Sequence, residues 1–347
     1  LVYFQAALNG SPQADVYYYD CEHMSNDRLQ SIPFFKPSGN SQELMISFNY
    51  LSRGFLRAVH INEIKQEIEQ GTHLLVSEHD LMFKLLESGK SLCHVPYVLV
   101  RQAPLNERVK FSINERIKDH FISKGFRNAR VDEINGERHL QLHLPDASVS
   151  IIILNRNHGG WLKKLVNSIF SRTDYPAYSL IIVDNQSTES EVLAYYEELK
   201  NESRVTIVHY DSEFNYSEAI NIGVANANSD VVVLMNNDMQ VTEPNWLREL
   251  AAWAINPEIG VVGGKLLHRN RSIQHAGIIL GMNGFIGHLY LNAPEHYQGL
   301  AGSVDWYRNF YALTGACQAM RRELFHQVGG YDERFRLAFG DIDFCLR

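Results

Sequence analysis

The chain has 347 residues, which leaves room for roughly two domains. Hydrophobic residues make up 45% and charged residues 21%, as in an ordinary globular protein. The net charge of -8 argues against nucleic acid as the main partner, because neutralising phosphates needs clustered Lys and Arg. Four scattered cysteines without a CxxC pair indicate neither a zinc site nor a disulfide framework, and they predict free thiols in a reducing cytosol.

The sequence contains neither an apolar run of about 18 residues nor a signal-peptide pattern, so we expect a cytoplasmic protein. Leu1 begins in mid-helix register and Arg347 ends an apolar segment, so we also expect a fragment of a longer protein.

The N-terminal part of the chain gives an incomplete α/β pattern. Ala14 to Asp20 is predicted to be a strand that ends in an acid, and Cys93 to Arg101 a closing strand. Residues 61–70 and 77–86 have helical spacing, and 115–124 predicts an amphipathic helix followed by two short strands. We therefore expect a partial unit over 1–104, a connector over 105–147 and a complete domain over 148–347.

From residue 148 onward, buried strands alternate with helices, which is typical of a parallel sheet wound by helices. This pattern predicts an α/β fold with an open, mostly parallel sheet and helices on both faces. The expected strands are 149–154, 180–184, 204–209, 231–235 and 260–264, and the expected helices are 161–170, 189–200, 217–227 and 245–254.

Four of these strands end in polar residues. Right-handed crossovers place the carboxyl ends of parallel strands at one edge, where open α/β sheets bind ligands. Turn chemistry explains any one of these ends, but it explains four together poorly. A carboxylate with amide oxygens beside it suits Mg2+ or Mn2+ that already carries phosphate oxygens. The polar ends are Asn155-Arg156-Asn157, Asp184-Asn185-Gln186-Ser187, Tyr210-Asp211 and Asn236-Asn237-Asp238.

Asp184 closes a strand where an acid can accept a hydrogen bond from a base N–H or a ribose hydroxyl. A structural alternative is that Ser187 or Thr188 caps the next helix, with Glu191 completing a capping box, and both roles are compatible. The first strand is followed by residues 155–160 instead of GxGxxG, which disfavours hydride transfer with a dinucleotide.

The sequence resembles the family 2 glycosyltransferases from about Val149 to the last residue. That family has the GT-A fold and transfers a sugar from a nucleotide donor, usually with a divalent cation. The resemblance is strongest to bacterial enzymes of surface-polysaccharide assembly, including rhamnosyltransferases. The motifs that carry it are Val149-Ser150-Ile151-Ile152-Ile153 with Asn155, Thr173-Asp174-Tyr175-Pro176, Val183-Asp184-Asn185-Gln186-Ser187, Phe214-Asn215-Tyr216-Ser217, Asn236-Asn237-Asp238, Gln274-His275-Ala276-Gly277, Leu313-Thr314-Gly315-Ala316-Cys317 and Gly340-Asp341-Ile342-Asp343-Phe344-Cys345-Leu346-Arg347.

The resemblance implies a role for individual residues. Asp238 would hold Mn2+ or Mg2+, with Asn236 replacing the first acid of the family's DXD motif, so that nucleotide binding is better supported than metal dependence. Asp184 would contact the base, and Asp341 would be the general base of an inverting reaction. The implied nucleotide-sugar contacts are Asn155, Arg156, Asp184, Ser187, Asn215, Asn236, Asn237 and Gly315, with His275 and Asp343 as second-tier residues.

The resemblance also implies partners and a location. They are a nucleotide-sugar donor, a glycan or lipid-linked acceptor, and a peripheral position at the cytoplasmic face of the inner membrane through that acceptor. Asp341 and Asp343 lie near an expected helix start, where amide dipoles keep carboxylates ionised, although both could merely cap that helix. We expect Gly315 to precede an apolar helix and to let the backbone approach the substrate. Trp306, Tyr307 and Tyr311 are aromatic candidates for stacking on a sugar, with core packing as the alternative.

A fainter resemblance to the same family lies in the first unit. Tyr19-Asp20-Cys21-Glu22 is similar to the strand-end acidic motif, and Glu78 and Asp80 would correspond to Asp341 and Asp343. Residues 1–104 would then be the C-terminal half of a preceding related domain, without the strands that bind a donor.

Three functional hypotheses follow. The first is an inverting, metal-assisted glycosyltransferase. The second is a scaffold module that binds a nucleotide sugar without turnover. The third, a nucleotidyltransferase, should carry a Gly-rich basic loop after the first strand, and residues 155–160 lack one.

Overall fold

A computed structural model describes residues 9–10, 14–24, 31–37, 54–56, 78–102, 107–126, 128–134, 137–142, 147–282 and 284–347. The chain divides into two compact units, one of Leu1–Gln141 with Pro294–Asn309 and the other of Leu142–Ala293 with Phe310–Arg347. The expected connector is therefore divided, and its helix and strands belong to the first unit. Within the described ranges, no helix is both long and apolar enough to cross a membrane.

The first unit is built on a four-stranded sheet. Its central strand pairs antiparallel with the next two strands and parallel with the fourth, and the fifth and sixth form a separate hairpin. The elements are β1 (Val16–Met24), β2 (Ser31–Phe34), β3 (Gly54–Leu56), α1 (Glu78–Glu87), β4 (Leu92–Gln102), α2 (Glu107–Ser123), β5 (Arg130–Ile134) and β6 (Glu137–Gln141).

The first strand of this unit is longer than expected, and one expected helix lies outside the described residues. The predicted end of the first strand at Asp20 was wrong, because β1 continues to Met24 and both Asp20 and Glu22 lie inside it. A register irregularity on either side of Asp20 lets the strand continue past the polar residues. The predicted helix over 61–70 and the side chains of Glu78 and Asp80 lie outside what the structure describes.

The second unit follows the predicted alternation of strands and helices. Its elements begin with β7 (Val149–Asn155), α3 (Gly159–Arg172), β8 (Tyr178–Asp184), α4 (Ser190–Leu199), β9 (Val205–His209), α5 (Tyr216–Ala225), β10 (Val231–Asn236) and α6 (Trp246–Ala254). Short strands come next: β11 (Val262–Gly263), β12 (Leu266–Leu267), β13 (Ile273–His275), β14 (Ile278–Met282) and β15 (Phe285–His288). After β16 (Gln298–Gly299) and β17 (Gly302–Ser303), which lie in the first-unit segment, the chain ends with β18 (Cys317–Arg321), α7 (Arg322–Val328) and α8 (Gly340–Leu346).

The main sheet of the second unit has the order β11-β18-β10-β7-β8-β9. Strands β10, β7, β8 and β9 are parallel to one another, and β18 is antiparallel to β10 and β11. The prediction of an open, mostly parallel sheet is therefore confirmed. The expectation of a helix after Gly315 was wrong, because Cys317–Arg321 is the strand β18, of which all but the last residue are buried. A buried run this short has no periodicity that separates a strand from a helix.

Helices cover both faces of this sheet, as predicted. Side chains alternate between two apolar clusters with the period of two expected for a strand. On β7, Ile151 and Ile153 pack on the face covered by α3, α4 and α6, while Ile152 packs on the face covered by α5, α7 and α8. Residues 155 and 184 continue the first of these alternations and therefore point to the α3 and α4 side.

Candidate functional site

Asn155 and Asp184 lie side by side at the carboxyl ends of β7 and β8. They are 3% and 4% exposed, respectively. The hydroxyl of Tyr196 on α4 donates a hydrogen bond to Asp184 Oδ1 at 2.8 Å, and Asn155 Nδ2 donates to the same hydroxyl at 2.9 Å. The second oxygen, Asp184 Oδ2, has looser contacts, 3.4 Å to Ser187 N and 3.7 Å to His209 Nδ1. Asp184 Oδ2 can therefore still accept a hydrogen bond from a ligand.

The network continues to the end of β10. Asn237 Nδ2 donates to Asn155 Oδ1 at 2.7 Å, which fixes the Asn237 side chain and leaves its Oδ1 as an acceptor. Asp238, the next residue, is exposed and has no side-chain hydrogen bond or ion pair with the described part of the chain. Asn155 therefore links the Asp184 end of the sheet edge to the β10 end.

The resemblance implies a divalent cation, and the oxygen ligands at the end of β10 can be compared with those that such a cation usually has. Within the described ranges, no cluster of three His, Cys, Asp or Glu side chains could hold a metal ion. Mg2+, however, is commonly bound by one or two carboxylates together with substrate phosphates and water. The Asp238 carboxylate beside Asn237 Oδ1 fits a cation held mainly by a diphosphate, and it does not fit a cage made by protein alone.

The loops that follow β7 and β8 interlock. Asn157 N donates to Ser187 Oγ at 2.8 Å, and Asn157 Oδ1 accepts from Thr188 N at 2.8 Å and Glu189 N at 3.1 Å. The predicted capping by Ser187 or Thr188 was wrong, because the N-cap residue of α4 is Glu189 and it makes no side-chain capping bond. Asn157, from the neighbouring loop, instead bonds the two amides that directly precede the first helical residue, Ser190. Arg156, between the two asparagines, is exposed.

Asn185 belongs to a polar strand end named from the sequence, but it was not among the expected contacts of the donor. Its side chain is 3% exposed, and its Nδ2 donates to the carbonyls of Tyr210 and Ser212, both at 3.0 Å. Its buried Oδ1 has no partner among the described residues. A buried acceptor without a partner costs about 1–3 kcal/mol, so a donor from a ligand or a water would be favourable there.

Asp341 lies in the first turn of α8. Its Oδ2 accepts from Gly315 N at 2.8 Å and its Oδ1 from Ile342 N at 2.9 Å. The carboxylate thus reaches across to the loop before β18, which a simple helix cap would not do. Asp343 pairs at 2.9 Å with Arg347, the residue that directly follows α8. A Cβ added at Gly315 would lie 3.3 Å from Asp341 Cβ and 2.6 Å from Tyr216 Oη, so only glycine fits this close approach.

The loop before β18 joins Asp341 to the rest of the edge. Asn236 N donates to Ala316 O at 3.1 Å, next to the Gly315 amide that bonds Asp341. A continuous path of hydrogen bonds and neighbouring residues therefore runs from Asp184 through Asn155 and the β10 end to Asp341. The structure brings these side chains to one edge of the sheet.

Two other candidate residues have both functional groups of the side chain engaged within the fold. Asn215 caps α5, because its Oδ1 accepts from Glu218 N at 3.3 Å, and its Nδ2 donates to Glu333 O at 2.9 Å. His275 is 1% exposed and bonds to His288, Nδ1 to Nδ1 at 2.9 Å. Such burial removes His275 from direct contact with a donor or acceptor.

The aromatic candidates are divided between the units. Trp306 and Tyr307 belong to the segment that folds with the first unit, whereas Tyr311 belongs to the second and is 63% exposed.

An open, mostly parallel sheet with a polar ligand site at its carboxyl edge defines a class of α/β proteins. Comparison with known proteins gives the family. The model of glycosyl transferase family 2 matches residues 149–329, more than half of the chain, and the chain belongs to that family.

The sequence identity to individual relatives is modest. The chain is 31% identical over 98% of its length to the O-antigen biosynthesis protein RfbC of Myxococcus xanthus, but it spans only 28% of that protein. It is 24% identical, over 56% of its length and 67% of the relative, to an N-acetylglucosaminyl-diphospho-decaprenol L-rhamnosyltransferase of Mycobacterium tuberculosis. A solved structure of GalNAc-T7 with UDP, GalNAc and Mn2+ is 17% identical over 70% of this chain and 49% of its own, with a TM-score of 0.46.

Proposed function

We propose that the second unit transfers a sugar, with inversion, from a nucleotide-diphosphate donor to a hydroxyl of a glycan or lipid-linked acceptor. The observation that carries this proposal is the path of hydrogen bonds and neighbouring residues from Asp184 to Asp341 along one edge of the sheet. Adjacent strands lie about 4.8 Å apart, so the three steps from β8 to β18 cover about 15 Å. That length accommodates a nucleotide at one end and the reacting sugar at the other.

Each end of the edge has its own task. Asp184, held by Tyr196 through Oδ1, would accept from the base through Oδ2. Asp341, fixed by two backbone amides, would act as the general base and take the proton of the acceptor hydroxyl as it attacks the anomeric carbon. Attack from the face opposite the leaving diphosphate gives inversion.

Asn237 and Asp238 would hold the divalent cation, Mn2+ or Mg2+. When bound, the cation stabilises the negative charge that develops on the diphosphate. Asn236 and Asn237 are neutral, so the protein contributes one charge, from Asp238, and most of the affinity would come from the diphosphate. We expect Mn2+ alone to bind weakly and the nucleotide and Mn2+ to bind together.

The names of the relatives support a role in polysaccharide assembly, in which the acceptor is a growing or lipid-carried glycan. An acceptor carried on a lipid would bring the protein to the membrane surface as a peripheral protein.

The test is a thermal-shift panel of UDP, dTDP and GDP sugars with and without Mn2+. A bound nucleotide stabilises the native state by mass action, so one nucleotide should raise the Tm, and more so with Mn2+. Asp238→Asn should abolish the extra shift due to Mn2+ and keep the rest, whereas Asp184→Asn should abolish both. Failure of every nucleotide to raise the Tm, or wild-type shifts in Asp184→Asn, would contradict the proposal.

We also propose that the first unit is a related unit without a donor site. Both units have the same Ser–Asp contacts where two parallel strands begin. In the first, Ser91 N and Oγ both donate to Asp15 Oδ2 at 2.9 Å, at the start of the β1 and β4 pair. In the second, Ser148 N and Oγ donate to Asp230 Oδ2 at 2.9 and 2.7 Å, at the start of the β10 and β7 pair.

The match suggests that β4 fills, in the first sheet, the position that β7 has in the second. Asp20 would then correspond to the β10 end, but its carboxylate is 4% exposed and accepts from Lys36 N at 2.8 Å and bonds His94 Nε2 at 2.9 Å. Both bonds use Asp20 Oδ1, and burial within the fold leaves the carboxylate little room for a ligand. Residual nucleotide binding in Asp184→Asn would contradict this second proposal.

A further inference from the structure

The loop Leu313–Ala316, called here the Gly315 loop, is held at each of its four residues. One of its amides, Gly315 N, is the donor to Asp341 Oδ2, so the position of this loop sets the position of that carboxylate. The bonds that hold it are Gln318 Nε2 to Leu313 O at 2.7 Å, Thr314 N to His275 Nε2 at 3.4 Å, Tyr216 Oη to Gly315 O at 3.3 Å and Asn236 N to Ala316 O at 3.1 Å.

Among these bonds, the one to His275 uses a titratable side chain in a defined state. Burial, with a smaller contribution from His288, lowers the pKa of His275 to about 3, so the ring is neutral at physiological pH. A neutral imidazole has one donor and one acceptor nitrogen. Because Nε2 accepts from Thr314 N, Nδ1 carries the proton and donates to His288 Nδ1 at 2.9 Å.

The strand β13 and its turn place His275 under the loop. Leu266 on β12 pairs with His275. The chain then turns at Gly277, where φ is +109° and an added Cβ would lie 2.4 Å from the ring of Phe310. Only glycine allows both this backbone conformation and the covering aromatic ring. These contacts explain why a histidine and a glycine stand two residues apart here.

We propose that His275 is a positioning residue for the transfer reaction, acting through Thr314 and Gly315 on Asp341, with His288 fixing its tautomer. The inference rests on the proposed function only for the role of Asp341, because the arrangement of the loop can be measured without any substrate. Loss of the Nε2 acceptor leaves the Thr314 amide unpaired beside a buried site, so the loop relaxes and the Gly315 bond to Asp341 weakens.

The sequence offers a direct probe. Thr314-Gly315 is the only Thr–Gly pair in the chain, so 15N-glycine combined with 13C-carbonyl threonine gives a single NMR signal, that of the Gly315 amide. We would record its proton shift and its hydrogen-exchange rate in the wild type, His275→Gln, His275→Leu and His288→Leu. Asp341→Ala serves as the reference for a Gly315 amide without its side-chain acceptor, because the amide oxygen of an asparagine could still accept this bond. Gln can present an acceptor where Nε2 lies, whereas Leu cannot.

In His275→Leu we expect the signal to move toward its position in Asp341→Ala and its hydrogen exchange to accelerate at least tenfold. His275→Gln should stay close to the wild type, and His288→Leu should move part of the way. If His275→Leu does not fold, His288→Leu decides, because His288 is only half-buried. A folded His275→Leu with the wild-type signal, or an unmoved signal in His288→Leu, would overturn the inference.

Kinetics separate this inference from the proposed function. If nucleotide sugars are turned over, His275→Leu should lower kcat about tenfold while the KM for the donor stays within about threefold, and His275→Gln should restore kcat. If the Gly315 signal moves as expected but no donor is turned over, the positioning contact stands and the transferase proposal fails. If turnover is found and the signal does not move, the transferase proposal stands and this inference fails.

Discussion

Tyr196 connects two strand ends through one hydroxyl, which donates to Asp184 and accepts from Asn155. Removing it in Tyr196→Phe leaves buried polar groups without this partner. We expect the free energy of unfolding to fall by about 1–3 kcal/mol and nucleotide binding to weaken, because the Asp184 side chain is then free to turn. Urea denaturation and the nucleotide thermal shift measure the two effects.

Tyr195→Phe is the matched control for that change. Tyr195 neighbours Tyr196 on α4 and is also buried, but its hydroxyl takes no part in the strand-end network. Equal losses of stability and nucleotide binding in the two variants would show that the network has no role of its own.

The lowered pKa of His275 predicts that the free energy of unfolding depends on pH. Its pKa of about 3 in the folded chain lies below the ordinary value of 6.5, so the unfolded state binds a proton that the native state does not. The stability from the neutral ring is present above about pH 6.5 and is lost as the pH falls toward 3. Between pH 7 and pH 5 this costs about 2 kcal/mol. Urea unfolding at both values should show a loss smaller by that amount in His275→Gln, and an equal loss in both proteins would contradict the assignment.

At the scale of elements, the start of α4 depends on a residue of another loop. Asn157 has a φ of +56° and its Oδ1 accepts from the first amides before that helix. Asn157→Gly should cost about 1 kcal/mol, because it removes the side-chain acceptor of these two amides but tolerates the left-handed backbone. Asn157→Ala should cost a further 1–2 kcal/mol from that backbone conformation. Thermal unfolding of both variants measures the difference, and equal Tm values would show that the backbone conformation is not retained.

The elements themselves were largely predictable because strand and helix periods are written in consecutive residues. Ile151, Ile152 and Ile153 indicate a strand that is buried on both faces, and apolar runs of this kind predicted the strands of the sheet. The segment after Gly315 was misassigned because the five residues of β18 are too few to show the period of a strand or of a helix. The N-cap of α4 was misassigned because Ser187 and Thr188 are favoured capping residues, whereas the helix begins after Glu189, which makes no side-chain capping bond.

The candidate site was predictable where it consists of polar strand ends. Asp184 and Asn236 to Asp238 stand out because acids and amides interrupt apolar runs. Tyr196 could not be singled out, since a tyrosine at helical spacing among Val192 and Leu199 has the pattern of a core residue. Its role depends on a contact between a helix and two strands, which no local pattern contains.

In the whole molecule, the division into two units does not follow the order of the sequence. The segment Pro294–Asn309 folds with the first unit although it lies inside the sequence of the second. No composition change marks either of its ends. If residues 142–347 are expressed alone, the segment Pro294–Asn309 lacks the unit with which it folds. We therefore expect the second unit to be less stable alone than in the full chain. A Tm of the isolated unit equal to that of the same unit in the full chain would contradict this.

We propose that Asp341 is the base of a sugar transfer whose donor is held at the other end of the same sheet edge. The most direct measurement is the release of nucleoside diphosphate from the donor that gives the largest thermal shift, in the wild type and in Asp341→Asn. We predict that the rate falls on the order of a hundredfold or more in the variant while the thermal shift by the nucleotide is retained. Equal rates in the two proteins, or a wild type that binds nucleotide sugars and turns over none of them, would contradict the claim and favour a binding scaffold.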